Sequence, residues 1–316
     1  MKLAFDARCK KSKPSSFSRV LDLWSDALSH INMPFDLWME GPCTADILIS
    51  PNTDIAPVKG PIKVATMHDV NSLQPQRSSW IRRVPAIYSL NKVAKKLKVN
   101  ADYIWTVSEF SRQSISKAFP SLREKIFVVP NYPDKIFCPG EADFDLLKEN
   151  HIPKNCVLFV SAFRKHKNFE ALWTAHQSLP EALKKAHPLV CVADGKKAKK
   201  LMREKAYFTG RIDDKLLLHI YRSAAIMVFP SFAEGFGLPP LEAISSGCSV
   251  LSSSTTSMPE VLGEGAIYFD PFNPSELKDL LIKTLRNPKL PSSTIKFDIN
   301  RCGKAIKDFT EKISTK

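Results

Sequence analysis

Short apolar, β-rich runs alternate with stretches of helical periodicity along the chain. In the first half the strand-like runs are Leu3–Phe5, Asp46–Ser50, Val64–Met67, Tyr103–Val107 and Ile126–Val129, and helices are predicted at Arg19–Ile31, Trp80–Leu97 and Ser111–Ala118. From Cys156 the pattern restarts, with strands predicted at Val157–Ser161, Leu189–Ala193, Tyr207–Thr209, Ile226–Phe229 and Ser249–Ser252. Helices are predicted between them at Phe169–Gln177, Lys215–Ala224, Pro240–Ser246 and Ser275–Leu285. Such alternation predicts α/β units around parallel sheets. The segment 131–153 is rich in Pro, Asp and Glu and poor in apolar periodicity, which is a linker composition. The last segment, Asn300–Ile313, reads as a helix with no strand after it. At 316 residues the chain is long enough for two cores. The expected architecture is two α/β lobes, 1–150 and 151–299, hinged near 140–153, with a C-terminal helix at about 300–316 packing back on the first lobe. Ligands in open α/β sheets sit beyond the carboxyl ends of the strands, so a cleft between facing lobes is the expected site.

Composition narrows the class. Hydrophobic residues make up 44% and charged residues 25%, an ordinary soluble balance. The opening residues meet Lys2 and Asp6 before any apolar run develops, so no signal peptide is expected, and no stretch approaches the ~20 apolar residues of a membrane span. Seven cysteines fall at irregular spacing without a Cys-x-x-Cys. Cys156, Cys191 and Cys248 lie in apolar runs, where a reduced cysteine is a small hydrophobe, so a reducing, cytoplasmic compartment is expected. The net charge of +14 is spread over both halves, with runs at Lys92–Lys98 and Lys196–Lys205. An anionic partner and solvated helix faces both account for it, and most of these lysines read as solvated. Aromatic interleaving and helix-turn-helix punctuation are missing, so nucleic acid is not an expected partner. The chain has no Gly-x-Gly-x-x-Gly and no Walker loop, and phosphates must be held in another way.

The stretch from Ile226 to Ile244 carries the chemistry. A strand ends at Phe229, a loop with Gly235 and Gly237 follows, and Pro239 and Pro240 open a helix. The glycines let backbone N–H groups approach a ligand, and the helix start favours an anion. Glu234 precedes the loop and Glu242 follows it, with seven residues between them. Each carboxylate accepts from paired hydroxyls, which suits a sugar at one end and a ribose at the other. Singly, Glu242 is explained as a helix-dipole partner and Glu234 as a turn residue; with the loop, the ligand reading prevails.

This stretch resembles the Glu-seven-residues-Glu signature of the family-4 retaining glycosyltransferases of GT-B fold. The likeness continues in Tyr207–Ile212, in Gly247–Ser254, in Ser257–Val261 and in Ala266–Pro271. In the first half His68-Asp69, Thr106–Ser111 and Val128–Asn131 follow in the family's order. The resemblance implies an α/β GT-B protein, two Rossmann-like domains facing across a deep cleft. Glu234 would bind donor sugar hydroxyls, with Gly235 and the N–H groups of Phe236, Gly237 and Leu238 near the sugar and phosphates. Glu242 would bind the ribose, and Lys167 matches the lysine that neutralises the diphosphate. Arg211 and Ile212 would face the base. Ala162 stands where the family often has arginine, and Arg164, two positions on, is the donor-binding candidate in its place. His68 matches an orienting residue near the diphosphate and acceptor, followed by Asp69. Ser108 and Ser111 match a serine pair that a helix N-cap explains almost as well, and Asn131 is a further landmark. Ser16, Phe17, Ser18 and Arg19 replace the usual glycine-rich first loop. The short chain is reminiscent of compact virus-encoded homologues.

The expected function is retaining, metal-independent transfer of a hexose to a glycan or glycoprotein hydroxyl. The sequence looks most like mannosyltransferases that use GDP-mannose, with UDP-glucose the alternative. Asp143-Phe144-Asp145 is formally an Asp-x-Asp metal motif, but it falls in the linker and reads as solvated charge. No cofactor is expected beyond the donor. A nucleotide-sugar epimerase and an inactive GT-B scaffold that binds anions are the rivals from other classes. Weak membrane contact through Arg82, Arg83, Lys92, Lys95 and Lys96 and a homodimer complete the partners considered.

Overall fold

The computed structural model describes residues 1–11, 16–73, 80–193, 196, 202, 205–287 and 296–315. They form two compact units, Met1–Tyr132 with Phe297–Lys316, and Pro133–Lys296.

The first unit contains β1 (Leu3–Asp6), α1 (Ser16–His30), β2 (Phe35–Trp38), β3 (Ile47–Ser50), β4 (Ile62–Thr66), α2 (Trp80–Asn100), β5 (Tyr103–Thr106), α3 (Glu109–Ala118) and β6 (Ile126–Val128). Its strands make one parallel sheet in the order β2-β1-β3-β4-β5-β6. β1 and β3 are buried at every position, as expected of parallel strands covered on both faces. The sequence pattern missed β2, an edge strand whose Asp36 and Leu37 are exposed, so no apolar run marks it. Ser16–Arg19, expected as a loop, forms the first turn of α1, whose buried stripe runs from Val20 through Trp24 to Leu28.

The second unit contains α4 (Phe144–Glu149), β7 (Val157–Val160), α5 (Phe169–Gln177), α6 (Glu181–Ala186), β8 (Leu189–Val192), β9 (Tyr207–Phe208), α7 (Asp214–Ser223), β10 (Ile226–Phe229), α8 (Leu238–Ser245), β11 (Val250–Ser253), α9 (Met258–Leu262), β12 (Ile267–Phe269) and α10 (Pro274–Arg286). Its sheet is parallel, in the order β12-β11-β10-β7-β8-β9. The expected boundary near 150 and the linker at 131–153 need correction, because the division falls between Tyr132 and Pro133. Asp143 is not merely solvated charge: its carboxylate accepts from the Leu146 N–H and caps α4. The Arg222 guanidinium on α7 donates to Cys138 O at 2.9 Å and Glu141 O at 3.0 Å, tying the acidic segment to this unit. Three apolar residues there, Phe137, Leu147 and Ile152, are buried, which composition alone does not show.

The C-terminal helix α11 (Ile299–Ser314) belongs to the first unit. Its buried face carries Cys302, Gly303, Ile306, Phe309 and Ile313. A Cβ on Gly303 would lie 3.0 Å from Ala27 O, so only glycine lets α11 approach α1 this closely. Phe309 meets Tyr103, Trp105 and Phe127 edge-on at 5.0–5.5 Å, a preferred aromatic geometry that anchors the helix over β5 and β6.

Candidate active site

In the second unit the candidate residues follow the carboxyl ends of the strands. β7 and β10 are neighbours, so the loops that leave them meet. The Lys167 Nζ donates to Glu234 Oε1 at 2.6 Å, with the two side chains only 17% and 12% exposed. The ammonium also lies 5.6 Å from the Phe229 ring centre, where the ring face favours a cation. Phe232 N donates to His166 O at 2.8 Å, locking the two loops together behind the ion pair.

Hydroxyls from the β11–α9 connection sew the glycine loop in place. Glu234 N donates to Thr256 Oγ1 at 3.1 Å, and Thr255 Oγ1 donates to Phe232 O at 3.1 Å. Ser257 Oγ donates to Glu234 O at 3.1 Å and Phe236 O at 3.2 Å. Gly237 has φ 97°, and a Cβ there would lie 2.4 Å from Met258 Cε. The methionine tip can move, so the backbone angle sets the cost. Gly237→Ala is expected to lower stability by about 1–2 kcal/mol, read as a lower denaturant midpoint at unchanged slope.

Glu242 is 2% exposed on α8, and its Oε2 accepts from the Tyr221 hydroxyl at 3.3 Å. The sequence reading missed Tyr221, a fully buried residue of α7 that looks like ordinary core. Pro239 and Pro240 remove two N–H donors from the first turn of α8, leaving Phe236, Gly237 and Leu238 as the loop's main-chain donors. Arg164 and Arg211 are exposed on the loops after β7 and β9, with Ile212 half-buried. Gly210, at φ 72°, turns the chain there.

In the first unit His68 Nε2 donates to Pro51 O at 2.8 Å, and its ring packs 5.6 Å from Phe17. Burial holds the His68 imidazole below its ordinary pKa of 6.5, outweighing the Pro51 hydrogen bond and Asp69. The ring is therefore neutral at pH 7, with the proton on Nε2 and the lone pair on Nδ1. His176 is lowered in the same way by burial. The unfolded chain binds more protons on these histidines than the folded one just below pH 6.5, so stability rises with pH through that window. Unfolding free energy is expected to fall as pH drops from 7.5 to 5.5, and His68→Asn should flatten that slope.

Asp69 Oδ1 accepts from Asn71 N at 2.8 Å in a local turn. Ser108 Oγ accepts from Ser111 N at 3.0 Å and caps α3, so the serine pair has a capping role. Asn131 is buried, and its Oδ1 has no hydrogen-bond partner among the described residues. Ser16, Phe17, Ser18 and Arg19 all lie in the first turn of α1. An unread network sits at the ends of β1 and β3. Buried Asp6 accepts from Arg8 Nε at 2.9 Å, Arg8 Nη2 at 2.7 Å and Ser50 Oγ at 3.0 Å. Asp6 and Arg8, with Cys9, Pro51, Asn52 and Asp54, line a cavity of about 180 Å³. The signal was Asp6, a carboxylate closing an otherwise apolar strand.

Two parallel six-stranded sheets, with Lys167 and Glu234 on strand-end loops of the second and Glu242 on the helix that follows, define the GT-B class of glycosyltransferase fold. The solved structure of Anabaena Alr3699/HepE in complex with UDP-glucose shares it, with a TM-score of 0.68 over 100% of both chains at 14% identity. The family described as glycosyl transferases group 1 matches residues 144–301, half of the chain, and the chain belongs to it. The Escherichia coli serotype-specific mannosyltransferase WbdA is 28% identical over 213 residues, 63% of this chain and 26% of WbdA. The E. coli O-antigen chain mannosyltransferase B is 29% identical over 205 residues, 60% of this chain and 52% of that protein. The chain thus spans about a quarter to a half of the length of these curated relatives. Among the described residues no helix is long and apolar enough to cross a membrane.

Proposed function

We propose that this chain is a retaining glycosyltransferase that moves mannose from GDP-mannose to a hydroxyl of a glycan or glycoconjugate, without a metal. The observation that carries the reading is the Lys167–Glu234 pair at 2.6 Å on adjoining loops, with Glu242 buried in the helix that follows. Glu234 accepts hydroxyls of the donor sugar, and Glu242 accepts the ribose diol. Lys167 and the N–H groups of Phe236, Gly237 and Leu238 hold the diphosphate, and Arg211 and Ile212 border the base. Arg164 adds a second cation for the phosphates. As the sugar–phosphate bond breaks, Lys167 stabilises charge on the leaving oxygen. The acceptor oxygen bonds to the anomeric carbon on the same face, and its proton passes to the departing diphosphate. His68, neutral and fixed by Pro51, orients the acceptor rather than taking its proton, and Asp69, Asn131 and the Ser16–Arg19 turn belong to this acceptor side.

The mannosyltransferase relatives favour mannose, while UDP-glucose in the HepE structure supports UDP-glucose as the second donor reading. Cys156, Cys191, Cys248 and Cys302 are buried as thiols, which suits a reducing cytoplasm. α2 exposes Val84, Ile87 and Tyr88 one turn before Lys92, Lys95 and Lys96, which supports weak contact with an anionic membrane surface. The Arg82 and Arg83 side chains lie outside the described residues.

The test is incubation with each donor and a mannoside acceptor in the presence of a chelator. The proposal expects release of nucleoside diphosphate and a product with the donor's anomeric configuration. An inverted product, or turnover only after metal is restored, would overturn the mechanism. An altered free sugar nucleotide made without acceptor would favour an epimerase.

A further inference from the structure

Phe232 and Phe272 stack with ring centroids 5.0 Å apart and planes 22° from parallel. Phe272 is 52% exposed, a large apolar ring left in water at the end of β12. Phe232 rides on the loop that carries Glu234, and Phe272 on the loop after β12, which Asn168 ties to the loop of Lys167. Phe232 stands two residues before Glu234, and its N–H is bound to His166 O beside Lys167. Phe272 follows Pro271, whose carbonyl accepts from Asn168 Nδ2 at 3.2 Å, the residue after Lys167. Asp270 Oδ1 accepts from Phe272 N at 2.9 Å and fixes the turn. The exposed ring is therefore held from two sides.

Resting on the reading above, we infer that Phe272, backed by Phe232, is an aromatic platform for the apolar face of a pyranose ring bound next to Glu234. A sugar presents C–H groups on one face and hydroxyls around its edge. The electron-rich face of an exposed phenyl ring meets the first, and neighbouring carboxylates accept the second. A nucleobase would also stack, but its proposed border at Arg211 and Ile212 follows β9. That strand lies three strand spacings from β10, the strand that leads to Phe232, or about 14 Å away. The platform thus stands at the sugar end of the site. The ring it holds comes from the donor or from the acceptor, and the two are separable.

The experiment compares Phe272→Ala, Phe272→Leu and Phe272→Trp with the wild-type chain. Dissociation constants for GDP and GDP-mannose are measured by titration, and KM is measured for methyl α-mannoside as acceptor, with UDP and UDP-glucose run in parallel. All variants are expected to bind the bare nucleoside diphosphate within about twofold of wild type. Alanine and leucine should weaken one sugar-bearing ligand by about five- to tenfold, with kcat at saturation little changed, and tryptophan should restore it. A change in the sugar nucleotide constant assigns the ring to the donor, and a change in mannoside KM assigns it to the acceptor. Unchanged constants in Phe272→Ala, or full restoration by leucine, would overturn the platform while wild-type turnover left the proposed function standing. A folded wild-type chain that binds no sugar nucleotide would instead remove that function and this inference with it.

Discussion

Lys167→Ala is expected to lower glycosyl transfer by about 10²–10³-fold, the largest effect of any single substitution in this protein. The ammonium sits 17% exposed beside Glu234 and against the Phe229 ring, where water screens its charge poorly. In the free protein it neutralises Glu234. In the proposed mechanism it faces the oxygen on which charge grows as the sugar departs, so its loss is expected to fall mainly on kcat. The same substitution leaves the Glu234 carboxylate half-sequestered without its donor, which costs stability as well, by about 1–3 kcal/mol. A melting curve run beside the kinetics separates the two effects. Lys167→Arg keeps the charge but replaces a compact ammonium with a planar fork, and partial recovery is expected. Full activity in Lys167→Ala at intact folding would remove the residue from the mechanism.

Glu242→Ala is the second large effect, and it falls on binding. On the proposed reading the buried carboxylate accepts from the ribose diol, and a net loss equal to one charged hydrogen bond, about 1.5–3 kcal/mol, should lower affinity by about 10- to 100-fold. Because the ribose is common to donor and product, GDP and GDP-mannose should weaken together. A change at Phe272 spares GDP, and the contrast tells the two ends of the site apart. Tyr221→Phe is the control for packing. It removes only the hydroxyl 3.3 Å from Glu242 Oε2 and should change affinity by less than about threefold. Equal losses in Tyr221→Phe and Glu242→Ala would mean that the carboxylate serves the core and not the ligand.

The two sheets were legible because parallel strands buried on both faces leave short apolar runs between helices. The exception β2 follows from the same physics, since at a sheet edge it alternates irregularly and shows no buried run. Polar anchoring was less visible. The Arg222 contacts that fold the Cys138–Glu141 segment onto α7 are long-range hydrogen bonds from one ordinary-looking arginine. At the site, Glu234 and Glu242 stood out as charges set among glycine, proline and apolar neighbours, whereas Lys167, in the run Arg164–Asn168, was marked by the family resemblance alone. What holds them did not. Tyr221 reads as core, while Thr255, Thr256 and Ser257 read as a polar turn, and only the fold brings their hydroxyls to the glycine loop. Ser16–Arg19 shows the opposite error, since a family expectation of a loop yielded to the first turn of α1, which leads into the buried stripe that begins at Val20.

The most direct test of the central claim is calorimetric titration of the folded chain with GDP-mannose, with UDP-glucose as the second donor, in wild type and Glu242→Ala. Saturable binding of one intact sugar nucleotide, weakened about 10- to 100-fold by the substitution, is the predicted result. Absence of binding by either donor, or binding that Glu242→Ala leaves untouched, would contradict the assignment of this site to a nucleotide sugar.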